Sequence, residues 1–255
     1  MTVLAILQAR VSSSRLPKKV LAPILGKPML ARQIERLKHS ETIDRLVVAT
    51  SNDPSDDALV GLCADIGISC HRGSLNDVLQ RFAGAFEAFG PADTIVRLTG
   101  DCPLADPAVI DRVIREHLAS GADYTTNAIE CTWPDGLDAE VMRGAVLRSA
   151  ASEAALPSQR EHVTPFIYNN PQRFKIAHVK NGENLSHLRW TVDEPADLAF
   201  VTEVYTALYP EYPAFGTADI LALLARRPEL ATINGSFERN EGYAKSLQLD
   251  TTSQK

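Results

Sequence analysis

Five apolar residues in a row, Val3-Leu4-Ala5-Ile6-Leu7, give way to Gln8, Ala9, Arg10, Val11, three serines at 12–14, Arg15, Leu16, Pro17, Lys18 and Lys19. A run this short and this apolar is the pattern of a strand buried on both faces of a parallel sheet. The loop that follows carries four cations and three hydroxyls within ten residues. In an α/β sheet the carboxyl end of a strand is where ligands bind, and this composition suits a polyanion, with a triphosphate the first candidate. A solvated basic surface loop has the same composition, so it is the position behind the first strand that favours an anion site. The chain has no G-x-G-x-x-G and no G-x-x-x-x-G-K-S/T, so side chains, helped by backbone N–H groups of the serine run, must hold the phosphates.

The rest of the chain repeats the same alternation. Further buried strands are expected at 45–50, 66–70, 93–99 and 121–126, with an alternating one at 188–193. Helices are expected from Pro28 to about His39, after Asn52-Asp53-Pro54, after Asp77 with Val78, Leu79, Phe82, Phe86 and Phe89 on one face, and from Asp106 through Leu118. Two more follow Glu194-Pro195 and Thr217. This β-α-β-α rhythm predicts an α/β fold with a mostly parallel central sheet and right-handed crossovers.

With 255 residues the chain has the length of one α/β domain, or of one domain carrying an inserted lobe. We expect a domain over 1–237, a lobe at 127–186 that closes over the substrate and forms a subunit contact, and a loosely ordered polar tail at 238–255. A net charge of −6 argues against nucleic acid as a partner and leaves the basic loop a local exception. No apolar run is long enough for a membrane span and the start lacks a secretory pattern, so a cytoplasmic protein is expected. Cys63, Cys70, Cys102 and Cys131 form no C-x-x-C pair and read as isolated thiols in a reducing compartment.

Two acids stand where strands end. Asp101 follows the strand at 93–99 beside Gly100, and Asp193 closes 188–193. Either could simply cap a turn or helix, although Pro103 and Asp106 already supply turn and cap behind Asp101. Two carboxylates on converging strand ends are also what Mg²⁺ needs when its other ligands are phosphate oxygens and water. With the basic loop, they equip a site for attack on an α-phosphate with pyrophosphate leaving, which is nucleotidyl transfer. His162, between acidic and basic neighbours, reads as either a structural histidine or a general base.

The loop Gln8-Ala9-Arg10-x-x-Ser13-Ser14-Arg15-Leu16-Pro17-x-Lys19 with Gly26-Lys27-Pro28 resembles the signature of the cytidylyltransferases that activate acidic sugars, the CMP-Kdo and CMP-acylneuraminate synthetases. Gly100-Asp101-Cys102-Pro103-Leu104, Pro134-Asp135-Gly136-Leu137-Asp138-x-Glu140, Arg160-Glu161-His162-Val163-Thr164-Pro165 and Arg189-Trp190-Thr191-Val192-Asp193-x-Pro195-x-Asp197 resemble the spore-coat polysaccharide biosynthesis protein F group, over residues 3–205. The resemblance implies the nucleotidyltransferase variant of the Rossmann-like fold, CTP as co-substrate, Mg²⁺, and a homodimer. By the same resemblance Arg10, Arg15 and Lys19 hold the triphosphate, and Asp101 and Asp193 are the metal ligands. Leu7 and Ala9 (through their backbone), the Asp77 region and Arg97 surround cytosine and ribose. Asp138, Glu140, Arg160 and His162 are the candidates for contact with an acidic-sugar acceptor, Arg160 as the partner of its carboxylate. Related synthetases often have glycines in the phosphate loop, where this chain has Val11 and Ser12 to Ser14. Rival readings are a glycosyltransferase of the same architecture, which lacks its usual D-x-D pair here, and a nucleotide-binding protein without turnover.

Overall fold

The computed structural model describes residues 1–13, 15–235, 237, 239, 243, 244, 246–248 and 250. The first strand, β1 (Val3–Gln8), lies at the middle of the sheet with no exposed edge, and its alternation divides the core. Val3, Ala5 and Leu7 join the apolar cluster on one face, Leu4 and Ile6 the cluster on the other. Burying Leu4, Ile6 or Leu7, each fully inaccessible, contributes roughly 2 kcal/mol per side chain.

A tight hairpin of β2 (Pro23–Ile24) and β3 (Lys27–Pro28) follows, turning at Leu25 and Gly26, both with positive φ. It leads into α1 (Met29–Leu37), β4 (Arg45–Ser51), α2 (Asp57–Asp65), β5 (Ser69–Gly73) and α3 (Val78–Phe89). Then come β6 (Thr94–Thr99), α4 (Pro107–Ser120), β7 (Tyr124–Thr126), β8 (Glu140–Arg143) and α5 (Gly144–Glu153). The chain continues through α6 (Pro157–His162), α7 (Pro165–Tyr168), β9 (Ile176–His178), α8 (Pro195–Leu208) and α9 (Thr217–Arg226). Among the described residues the main sheet has the order β5-β4-β1-β6-β8-β7-β9. β8 alone runs against its neighbours, β6 and β7. The fold is therefore the expected α/β arrangement with a mostly parallel sheet.

Three segments differ from their sequence reading. The strand expected at 66–70 begins later, because α2 ends through Ile66 and a left-handed Gly67, and the Ile68 N–H returns 2.8 Å to the Cys63 carbonyl. Within 127–186, the short strands β8 and β9 join the central sheet, a pairing that the reading of this stretch as a lobe did not include. The stretch 188–193 is not a ladder strand: it makes a single bridge, Asp135 to Arg189. Its backbone donors instead tie loops together, Trp190 N to Asp135 O at 2.6 Å and Val192 N to Asp101 O at 2.8 Å. Gly136 makes that crossing possible: its φ is +108°, and a Cβ there would lie 2.6 Å from Thr191 N.

The tail is more engaged than expected. Arg239 pairs with Asp138, Ser246 with Glu161 and His162, and Asp250 accepts from Ser158 N at 2.9 Å and Ser158 Oγ at 2.5 Å. Residues 238, 240–242, 245, 249 and 251–255 of the tail lie outside the described residues, as does Ser14. No helix among the described residues is long and apolar enough to cross a membrane. All four cysteines are free thiols.

Candidate active site

The basic loop leaves β1 and is fixed at Val11, whose N–H donates to Asp56 Oδ1 at 2.7 Å while its side chain is buried in the core. Its carbonyl accepts from Ser13 N at 2.9 Å and Lys18 N at 3.1 Å, folding the loop back on itself. A valine thus does by anchoring what a glycine-rich loop does by conformational freedom. Gly100 serves the same packing: its N–H donates 2.8 Å to the Gln8 carbonyl, and a Cβ there would meet the Ala9 Cβ at 2.9 Å. The glycine admits the neighbouring loop and also lines the adjoining cleft.

These loops open on a cleft of about 620 Å³ at the carboxyl end of the sheet, within the usual 300–1,000 Å³ of small-molecule sites. Arg10, Arg15, Lys19, Arg97, Asp101 and Asp193 all line it. The Lys19 ammonium joins the two acids, 2.8 Å from Asp193 Oδ1 and 3.4 Å from Asp101 Oδ2, with the Val192 carbonyl at 2.8 Å. Burial disfavours charge at Lys19, but Asp101 and Asp193 outweigh it and hold the ammonium above the usual lysine range. Burial likewise works to raise Asp101, and Lys19 with hydrogen bonds from Thr99 and Cys102 brings it below the usual carboxylate range. Both groups therefore carry charge at neutral pH. Cys102 is pushed well up by burial and by Asp101, so it is a protonated thiol donor.

Asp193 does not cap α8. Glu194 is the N-cap, and Asp197 in the first turn reaches back to accept from the N–H groups of Asp193 and Glu194 at 2.9 Å each while Arg189 grips both its oxygens at 2.9 Å. Asp193 is left to face the cleft, where Arg15 Nη2 adds a contact of 2.9 Å to its other oxygen. Two carboxylates aimed at one cation fit a divalent ion that completes its shell with phosphate oxygens and water. Among the described residues no group of three or more His, Cys, Asp or Glu side chains could hold a metal.

Other predicted residues fare differently. Ala9, Asp138, Glu140 and His162 line the cleft, Asp138 gripped by Arg239 and Glu140 by Arg97, Tyr124 and Thr164. Leu7 is fully buried in β1, its side chain in the core. Arg160 and Asp77 are not brought into the cleft: Arg160 Nε reaches both Asp77 oxygens at 3.0 Å, and its Nη1 donates to the Ala151 carbonyl at 2.7 Å. Asp77 also caps α3, accepting from Gln80 N at 2.9 Å. Arg160 thus ties α6 to the start of α3, outside the cleft lining.

Sequence reasoning missed Arg81 and Asp135. Arg81 lines the cleft though almost wholly buried, its guanidinium pushed down to about 10 by burial and then by the like charge of Arg10. Its signal was an arginine on the apolar face of α3, three residues after Val78. Asp135 also lines the cleft, pushed up to about 6 by burial and then by Asp138, against the pull of Arg239 and Arg189.

Residues 4–205 match the cytidylyltransferase family model. An uncharacterized protein of Methanocaldococcus jannaschii is 36% identical over 95% of this chain and 98% of its own. The spore coat polysaccharide biosynthesis protein SpsF of Bacillus subtilis is 35% identical over 90% of this chain and 97% of its own. A cytidylyltransferase from Leptospira borgpetersenii superposes with a TM-score of 0.87 at 30% identity, covering 94% of this chain and 100% of its own. The match spans the basic loop, both acids and the sheet that brings them together, and on it the chain belongs to the cytidylyltransferase family.

Proposed function

We propose that the protein transfers CMP from CTP to the hydroxyl of an acidic sugar or related acid, releasing pyrophosphate, in the assembly of a surface or spore-coat polysaccharide. The observation that carries this reading is the Lys19 ammonium seated between Asp101 and Asp193, three segments remote in sequence. Arg10, Arg15 and Lys19 bind the triphosphate, and Lys19 neutralises charge that grows on the α-phosphate and departing pyrophosphate. Asp101 and Asp193 would hold Mg²⁺, which supplies Lewis-acid stabilisation of the phosphate oxygens when bound. Support for an acidic acceptor comes from the resemblance to the sugar-acid synthetases. With Arg160 engaged elsewhere, Arg97 is the cleft cation nearest in role, half of a pair with Glu140. The reading places the protein in the cytoplasm, where nucleoside triphosphates are kept, as a homodimer.

Pyrophosphate release from CTP with a panel of sugar acids, with and without Mg²⁺, tests it. Release that needs both an acid and the metal is expected. A glycosyltransferase would release none, and a nucleotide-binding protein would gain thermal stability with CTP without consuming it. Either result overturns the proposal.

A further inference from the structure

His162 ends α6 and lines the cleft, and it is held from the C-terminal segment, beyond the part of the chain that matches the family model. Its Nε2 lies 2.8 Å from Ser246 Oγ, and that oxygen lies 2.7 Å from Glu161 Oε2. A carboxylate can only accept, so the single hydroxyl proton of Ser246 points to Glu161, and Ser246 must accept from His162. The proton of the imidazole is thereby placed on Nε2 and the lone pair on Nδ1. Tyr243 stacks edge-on against the ring at 5.1 Å, and Asp250 ties the same segment to Ser158 of α6. Two anchors therefore hold the tail against the helix that bears the histidine.

We propose that Ser246 is a positioning residue and that His162, fixed by it, takes the proton of the acceptor's attacking hydroxyl. This rests on the transfer reading above. The hydroxyl oxygen bonds the α-phosphorus of CTP, the bond from that phosphorus to the pyrophosphate oxygen breaks, and pyrophosphate leaves with the electron pair. The hydroxyl proton passes to Nδ1, and the resulting imidazolium is compensated through Ser246 by Glu161. The charged groups around the ring suit a base. Burial, Arg97 of β6 and Arg10 of the basic loop lower its pKa, against Glu161 of α6 and Glu140 of β8, so the ring is neutral at neutral pH.

The test is a long-range proton–nitrogen correlation spectrum of the full chain labelled at histidine, with His162→Gln assigning the ring. The wild type is expected to show Nε2 protonated, Ser246→Ala to lose that single tautomer, and Ser246→Thr to restore it. With the sugar acid that supports turnover, Ser246→Ala should lower kcat about tenfold while the thermal shift given by CTP is kept, and Ser246→Thr should recover most of the rate. A wild-type ring protonated on Nδ1, a tautomer unmoved by Ser246→Ala, or an unchanged kcat would overturn the proposal. The tautomer is read without acceptor, so a chain that uses no sugar acid would defeat the transfer reading and leave this measurement standing.

Discussion

Lys19 and Asp193, remote in sequence, meet with their charged atoms 2.8 Å apart, and Asp101 lies 3.4 Å from the same ammonium. Three pieces of chain converge because β1 is central, β6 is its direct neighbour, and the 188–193 crossing is stitched to Asp101 through Val192 N and Thr191 Oγ1. The Lys19 ammonium sits between the two carboxylates that the proposed reading assigns to a divalent ion, so both side chains are drawn toward one point before substrate arrives.

Lys19→Ala should therefore lower kcat for nucleotidyl transfer about 100- to 1,000-fold, the usual cost of removing one preorganised charge at a reacting oxygen. Asp101→Ala should be as severe. Circular dichroism and the Tm should show both variants folded, Lys19→Ala less stable by about 1–3 kcal/mol because two acids lose a shared partner. Near wild-type transfer in either would remove that residue from the proposed role.

How much of this was legible in the sequence depended on the range of the interaction. β1, β4 and β6 declared themselves through apolar runs, since a strand covered on both faces tolerates little else. The approach of Lys19 and Asp101 could be inferred because they follow neighbouring strands and share one rim of the sheet, whereas Asp193 reaches them through the 188–193 crossing. Pairings made by side chains across the fold were invisible. Asp77 and Arg160 are 83 residues apart, and nothing local says that each is the other's partner. The 188–193 stretch alternates like a strand, yet its donors are spent on loop carbonyls, which no periodicity reveals. The tail's polar residues, a mark of solvent exposure in sequence, instead satisfy charges in the cleft wall.

The Arg160 pairing separates a structural from a substrate-binding role. Arg160→Ala should lower stability to urea by roughly 1–3 kcal/mol, because it removes a two-oxygen contact with Asp77 and leaves the Ala151 carbonyl without its donor. The KM for the acidic acceptor should change less than about twofold, since only contacts to substrate move it. A large rise in KM with unchanged stability would return Arg160 to the acceptor site.

Asp135 gives a pH dependence of known sign. Its carboxyl titrates near 6 in the fold, against an ordinary value of 3.8, through burial first and then Asp138. Between those two values the native state binds more protons than the unfolded chain, so this group's contribution to stability falls as pH rises through the window and stays low above it. Asp135→Asn removes the titration and also weakens the 3.2 Å contact with Arg189, a loss present at every pH above the window. The difference in Tm, variant minus parent, should therefore be more positive at about pH 7.5 than at about pH 5. Thermal melts of both proteins across that range decide it: a difference that shrinks with pH would mean that Arg189 and Arg239 stabilise the ionised carboxylate more than burial and Asp138 oppose it.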